Sequence, residues 1–184
     1  MLRAAAIGMA VFVCQALGRD AVSGLSRQGA ARTPDIHFAP TRHGVADAML
    51  KLADVNRDDI VYDLGSGDGR IVILAAQKYG ARGVGIELDA RLVEISRQVA
   101  REGEVADRAT FIEGSFYSAD ISKATVVVMW LSETVNRRLE AKLKRELRPG
   151  ARVVSRQFPI GTWAPDQAAQ FGDEILRLWT IPPR

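Results

Sequence analysis

Asp63-Leu64-Gly65-Ser66-Gly67-Asp68-Gly69 holds the residue types and spacing most able to do chemistry in this 184-residue chain. An apolar run, Ile60 to Leu64, leads into it, and a helical pattern starts at Arg70. Glycines at alternate positions let the backbone come close to a ligand, because no Cβ intervenes. The helix behind them offers unpaired N–H groups at its start. Phosphate is a poor match all the same. A triphosphate loop needs a Lys and a Ser or Thr directly after its glycines, and none follows. A dinucleotide fingerprint needs a third glycine three positions after the second, where this chain has Arg70. Asp63 and Asp68 flank the loop with negative charge, which suits a cation. S-adenosylmethionine carries two, a sulfonium and an ammonium. A distant acid agrees with that ligand. Glu87 comes 24 residues after Asp63, at the end of the next apolar run. A carboxylate there accepts hydrogen bonds from both ribose hydroxyls, as in dinucleotide folds. Leu88 is then placed to lie against adenine, and Asp89 reads as a helix N-cap.

These residues need elements to hold them. Ile60–Leu64, Arg82–Leu88, Thr110–Glu113, Thr125–Trp130 and Ala151–Ser155 read as buried strands. Helical patterns lie between most of them. Thr41 is the expected cap of a first helix burying Val45, Met49 and Leu52. The second runs from Arg70 to Tyr79, and the third, Ala90–Glu102, is expected to bury Leu92, Ile95 and Val99. Ser132 caps a fourth with a Val135, Leu139, Leu143, Leu147 stripe. Gln167–Phe171 and Glu174–Ile181 flank Gly172-Asp173 as a hairpin. Strand–helix alternation predicts an α/β, Rossmann-like doubly wound sheet, mostly parallel, with an antiparallel C-terminal hairpin. Ligands bind such sheets at the carboxyl ends of the strands.

The composition, 47% hydrophobic and 26% charged, is that of a globular domain. One cysteine and two histidines exclude a disulfide framework and any Cys-rich zinc site, and no metal is expected. The net charge of +3 belongs to the first 33 residues, which hold four arginines against Asp20. The rest balances at 21 basic and 21 acidic side chains, so no general nucleic-acid surface is expected. Residues 1–18 have a basic start and a short apolar core, and residues 19–38 read as a linker. The domain is expected over 39–184. An export signal, an uncleaved membrane tether and an organelle transit peptide are the readings of the leader. The expected location is therefore membrane-associated or exported, mitochondrial if the source is eukaryotic, or cytoplasmic if the start codon is mis-called.

The glycine loop, with Gly85-Ile86-Glu87-Leu88-Asp89, resembles the class I S-adenosylmethionine-dependent methyltransferases. A narrower resemblance covers nearly the whole domain. It runs through Ala39-Pro40-Thr41, Val61 to Ile73, Arg82 to Glu87, Ala124 to Val127, Asn136 to Leu139 and Leu147 to Ser155. In these stretches the chain is similar to the mitochondrial lysine methyltransferases of the ATP synthase c-subunit and of the adenine nucleotide translocase, with their bacterial relatives. The resemblance implies that Asp63, Gly65, Ser66, Gly67, Asp68 and Gly69 hold the methionine part of S-adenosylmethionine and Glu87 its ribose. It also puts Ser115 where many relatives place an acid against the adenine amine. The implied acceptor is a protein lysine, in a membrane protein by one reading.

On the acceptor side, Trp130 ends the fourth strand and is a candidate wall or cation–π face. Glu133 is a candidate to orient an amine, or else a helix N-terminal charge pair. Asn136 is a candidate hydrogen-bond partner for substrate, or else a surface or cap residue. His43 is a candidate base, and Phe158–Trp163 a candidate cover. A methyltransferase for a small molecule or other acceptor, a non-catalytic S-adenosylmethionine-binding module and a nicotinamide oxidoreductase are the alternatives.

Overall fold

Four consecutive apolar residues, Val126–Met129, form strand β4, and all four are buried because helices cover both faces of the sheet there. In the computed structural model, which describes residues 41–184, β4 is the centre of a seven-stranded sheet. The leader and linker expected over 1–38 lie outside the described residues. The other strands are β1 (Ile60–Leu64), β2 (Arg82–Glu87), β3 (Ala109–Glu113), β5 (Arg152–Arg156), β6 (Gln167–Phe171) and β7 (Glu174–Thr180). The helices are α1 (His43–Leu52), α2 (Arg70–Tyr79), α3 (Ala90–Glu102) and α4 (Glu133–Glu146).

The strand order is β3-β2-β1-β4-β5-β7-β6. The first five strands are parallel, and β7 inserts antiparallel between β5 and β6. The mostly parallel sheet and its terminal hairpin are as expected; the insertion of β7 is what the sequence pattern left unspecified. Order reverses between β1 and β4, so the cleft of this sheet opens above β1.

Alternation along each strand sorts side chains onto two faces. Val61, Val126, Val128 and Val154 pack with α1 and α2. Tyr62, Leu64, Val127, Met129 and Val153 pack with α4. A third cluster joins α2 and α3 to the sheet through Val72, Val93, Ala100 and Phe111. So α1, α2 and α3 cover one face and α4 the other.

Two helix expectations are corrected. Helix α3 buries Val93, Ser96 and Ala100, while Ile95 and Val99 are exposed. The two candidate stripes are one residue apart, and close packing of α3 under the glycine loop selects the one with small residues. Thr41 does not cap α1. Arg42 is the N-cap, and the Thr41 hydroxyl accepts from Arg156 Nη1 instead. Asp89 and Ser132 do cap α3 and α4, accepting from Arg91 N at 2.9 Å and Val135 N at 3.4 Å.

Candidate active site

Register brings the ends of five strands to one edge. Leu64 lies level with Ile86 and Met129, Glu87 with Glu113, and Met129 with Ser155. The glycine loop, Glu87, Leu88, Ser115 and Trp130 therefore share that edge. Alternation also places Asp63 and Glu87 on the face covered by α1 to α3, opposite to Leu64 and Ile86.

The loop is built from the inside. Gly65, Gly67 and Gly69 have φ of +83°, +55° and +78°, the left-handed region that favours glycine. A Cβ on Gly69 would come within 2.6 Å of the Phe111 ring and 2.8 Å of Ser96 Cβ. The backbone N–H groups of Gly65 and Ser66 donate to Ile86 O, that of Gly69 to Ser66 O, and that of Gly67 to Glu87 Oε2 at 2.9 Å. These donors are engaged within the protein, so the loop is a poor nest for phosphate. The Ser66 side chain turns toward the sheet. Its Oγ packs over Gly85, buried and without a hydrogen-bond partner.

The acids divide into two kinds. Asp68 is paired with Arg70, whose Nε approaches at 2.8 Å. Burial works to raise the Asp68 pKa, but hydrogen bonds and charge from Arg70 outweigh it and hold the carboxyl below its ordinary range. Asp63 is buried, and no described group hydrogen-bonds to its carboxyl. Burial first, then the charges of Glu87 and Asp68, push its pKa up to about 8. The negative flank expected from both acids is thus reduced in the free protein: Asp68 is paired with Arg70, and burial favours the neutral form of Asp63.

Glu87 is already an acceptor. Its Oε1 takes the N–H of Leu88 (2.7 Å) and of Asp89 (3.0 Å), and its Oε2 that of Gly67. A carboxylate has roughly four lone-pair sites, which leaves one on Oε2 for a ribose hydroxyl rather than two. Leu88 is half-buried just beyond it. Gly114 donates its N–H to Glu87 O, and above Gly114 a Cβ would meet no atom within 4 Å. Ser115 follows, half-buried, its Oγ accepting from Tyr117 N at 3.3 Å in the turn after β3. Open space beside Glu87 and an unpartnered buried carboxyl on β1 fit a cationic nucleoside.

The acceptor-side candidates separate. Trp130 directly follows Met129, which lies level with Leu64 and Ser155, and the Arg156 guanidinium lies over its ring at 3.6 Å. The cation–π face is therefore occupied from within. Glu133 is exposed and paired with Arg137 at 3.0 Å. Asn136 is fully buried on the α4 face. Its Nδ2 lies within 3.3 Å of Ser155 Oγ, Phe158 O and Pro159 O, so it holds the segment after β5 against α4. Neither surface residue nor cap, it is a buried latch. His43 is exposed in the first turn of α1. Sequence reasoning missed Ser96, which is fully buried and donates to Gly67 O at 3.0 Å. A small polar residue at helical spacing between Val93 and Ala100 was the available signal. It also missed the Arg70 bond to Thr41 O and the Arg156–Glu174 pair. An open groove of about 460 Å³, lined by Arg57, Lys78, Tyr79, Gly80 and Arg108, lies at the opposite end of the sheet.

Residues 63–167 match the family model described as the ANTKMT methyltransferase domain. The chain belongs to this family. The methyltransferase is 44% identical over 142 residues to a protein-lysine N-methyltransferase of Saccharolobus islandicus, across 76% of this chain and 88% of that protein. It is 36% identical to the ATP synthase c-subunit lysine N-methyltransferase of Homo sapiens, across 82% of this chain, and spans 63% of the human protein's length. A solved structure, described as an RNA methyltransferase from Salinibacter ruber in complex with S-adenosyl-L-homocysteine, superposes with a TM-score of 0.78 at 50% identity. That likeness covers 79% of this chain and 95% of the other. The methyltransferase uses S-adenosylmethionine, as its family and the S-adenosyl-L-homocysteine bound to its structural relative show.

Proposed function

We propose that the enzyme methylates the Nε amine of lysine in a protein. The observation that carries this reading is the likeness to the S. islandicus protein, which extends over most of both chains. When bound, S-adenosylmethionine supplies a methyl group already activated by its sulfonium. In this reading the Asp63 carboxylate receives the ammonium of the methionine part, beside the backbone of Gly65 to Gly69 and Asp68. The free site on Glu87 receives one ribose hydroxyl. Leu88 and Ser115 border the adenine. The remaining task is to align and desolvate the acceptor. A lysine with its ordinary pKa of about 10.4 costs roughly 4–5 kcal/mol to present neutral at pH 7. Desolvation against an apolar wall such as Trp130 lowers that cost, whereas a carboxylate at the amine would raise it. The outward pairing of Glu133 with Arg137 is consistent with a channel that avoids a carboxylate at the amine.

A second reading, methylation of RNA, is favoured by the description of the S. ruber structure. Against it stands the charge of the cleft, where Glu87 and Glu113 lie side by side. We further propose that residues 1–18 tether the enzyme to a membrane and that the acceptor is a membrane protein. The test is transfer of labelled methyl into membrane and soluble extracts, with Glu87→Ala as control. Protease-sensitive, ribonuclease-resistant label, mapped by mass spectrometry to lysine Nε, is expected in the membrane fraction. Ribonuclease-sensitive label would replace lysine by RNA, and enzyme and label both in the soluble fraction would remove the tether.

A further inference from the structure

We infer that Arg156, clamped by Glu174 and Thr41, is a positioning residue that fixes the Trp130 ring at the acceptor side of the site. The inference rests on the reading above that Trp130 walls the acceptor channel.

Arg156 is the last residue of β5, and it is 7% exposed. Each nitrogen of its guanidinium has an acceptor. Nε donates to Glu174 Oε2 at 2.9 Å, Nη2 to Glu174 Oε1 at 2.5 Å, and Nη1 to Thr41 Oγ1 at 3.4 Å. A planar fork held at both ends of a carboxylate has little freedom to rotate. One face of that plane lies on Trp130, 3.6 Å from the ring centroid. The indole cannot swing toward β5 without breaking the stack. Glu174, at the start of β7, is held in turn by Arg42 at 3.5 Å. Thr41 supplies a second function: its carbonyl accepts from Arg70 Nη1 at 2.8 Å, and Arg70 is the partner of Asp68 in the glycine loop. One residue at the entry to α1 therefore touches the supports of both the cofactor loop and the indole.

The arrangement is costly unless the ring must be placed. A buried ion pair is often no more stable than apolar residues of the same volume. This one stands where β4 and β5 end beside the glycine loop, not in the centre of a core cluster. Because a cation already occupies the stacked face, Trp130 meets the acceptor as an apolar wall, which favours a neutral amine over an ammonium.

The test uses the full chain labelled with 5-fluorotryptophan, whose three resonances are assigned with Trp130→Phe and Trp163→Phe. Two variants are compared with wild type: Arg156→Lys, which keeps a charge against Glu174, and Arg156→Met/Glu174→Gln, which removes the pair without leaving a buried charge unpartnered, since the Arg42 it releases is exposed. In both, the Trp130 resonance is expected to shift and broaden while those of Trp163 and Trp179 stay. S-adenosylhomocysteine affinity, measured by calorimetry, is expected to hold. Turnover on solubilised membrane protein is expected to fall by about 10- to 100-fold, the size of loss a misplaced reacting group brings. In a double-mutant cycle, adding Trp130→Phe is expected to cost nothing further. Movement of all three resonances with lost cofactor binding in the double variant would mark unfolding, and Arg156→Lys then decides. An unmoved Trp130 resonance in Arg156→Lys, or full turnover with that variant folded, overturns the inference. A wild-type enzyme that labels no protein overturns the lysine reading instead, and the fluorine spectra still decide the placement of Trp130.

Discussion

Asp63 makes the free enzyme sensitive to pH in a defined direction. Its folded pKa of about 8 lies above that of an unfolded aspartate, about 3.9. The folded state therefore holds a proton that the unfolded state has released. Stability contributed by this group is full below pH 4 and is lost as pH rises toward 8, at up to about 1.4 kcal/mol per pH unit. In Asp63→Asn that slope should disappear, leaving the variant more stable than wild type at pH 8 in chemical denaturation without cofactor. On the proposed reading, in which the Asp63 carboxylate receives the ammonium of the cofactor, the same titration governs cofactor binding with the opposite sign. S-adenosylhomocysteine affinity should rise with pH up to about 8 in wild type and be weak and flat in Asp63→Asn. A wild-type affinity that fell over this range would remove Asp63 from the cofactor site. The residue types of this acid and of Glu87 were legible in the sequence. That Arg70 neutralises Asp68 was not, because the pairing needs a turn geometry that spacing alone does not supply.

Elements hold these groups by close approach on one face and by a latch on the other. Gly69 sits at φ +78° with the Phe111 ring and Ser96 against it. Gly69→Ala should destabilise the fold by about 2–5 kcal/mol through strain and overpacking, and weaken cofactor binding with it. Thermal unfolding and calorimetry check both effects; an alanine variant with wild-type melting and affinity would refute the crowding. Asn136→Ala should behave differently. It removes the side-chain donor to Pro159 O and one of two donors to Phe158 O, which keeps Ser155 Oγ, a loss of about 1–3 kcal/mol, while the proposed cofactor face lies across the sheet. Its S-adenosylhomocysteine affinity should stay within about twofold of wild type at temperatures where it is folded. A large loss of affinity would mean the two faces are not independent. The pattern Val135, Leu139, Leu143, Leu147 disclosed α4 correctly, yet Asn136 beside it read as a substrate contact or else a surface or cap residue. A polar residue looks the same in sequence whether water or a buried loop is its partner.

Across the whole molecule, the balance of 21 basic and 21 acidic residues after residue 33 conceals a separation of charge. Glu87 and Glu113 end strands β2 and β3 at the carboxyl side of the sheet. Arg57, Lys78 and Arg108 line the groove at the amino ends, and Arg82 begins β2 there. A field of this sense draws a cationic acceptor toward the cleft and repels a polyanion. Turnover per unit acceptor at low acceptor concentration should therefore fall by roughly threefold or more between about 50 and 500 mM salt for a lysine-rich protein, as exposed charges are screened. A rate that rose with salt would instead indicate an anionic acceptor such as RNA.

The parallel α/β sheet, the glycine loop and the carboxylate on the second strand were determined by the sequence itself. Their signals are local: apolar runs of strand length, glycines where backbone must pass closely, and an acid at a fixed distance from them. Tertiary structure decided which apolar stripe α3 buries, where the last hairpin inserts, and which acids keep their charge free of a partner. It also decided what Asn136 and Trp130 face. Each of those outcomes depends on which residues from distant parts of the chain come to lie against one another. Arg156, Glu174 and Thr41 meet only because β7 enters beside β5 and α1 returns to the edge of the sheet.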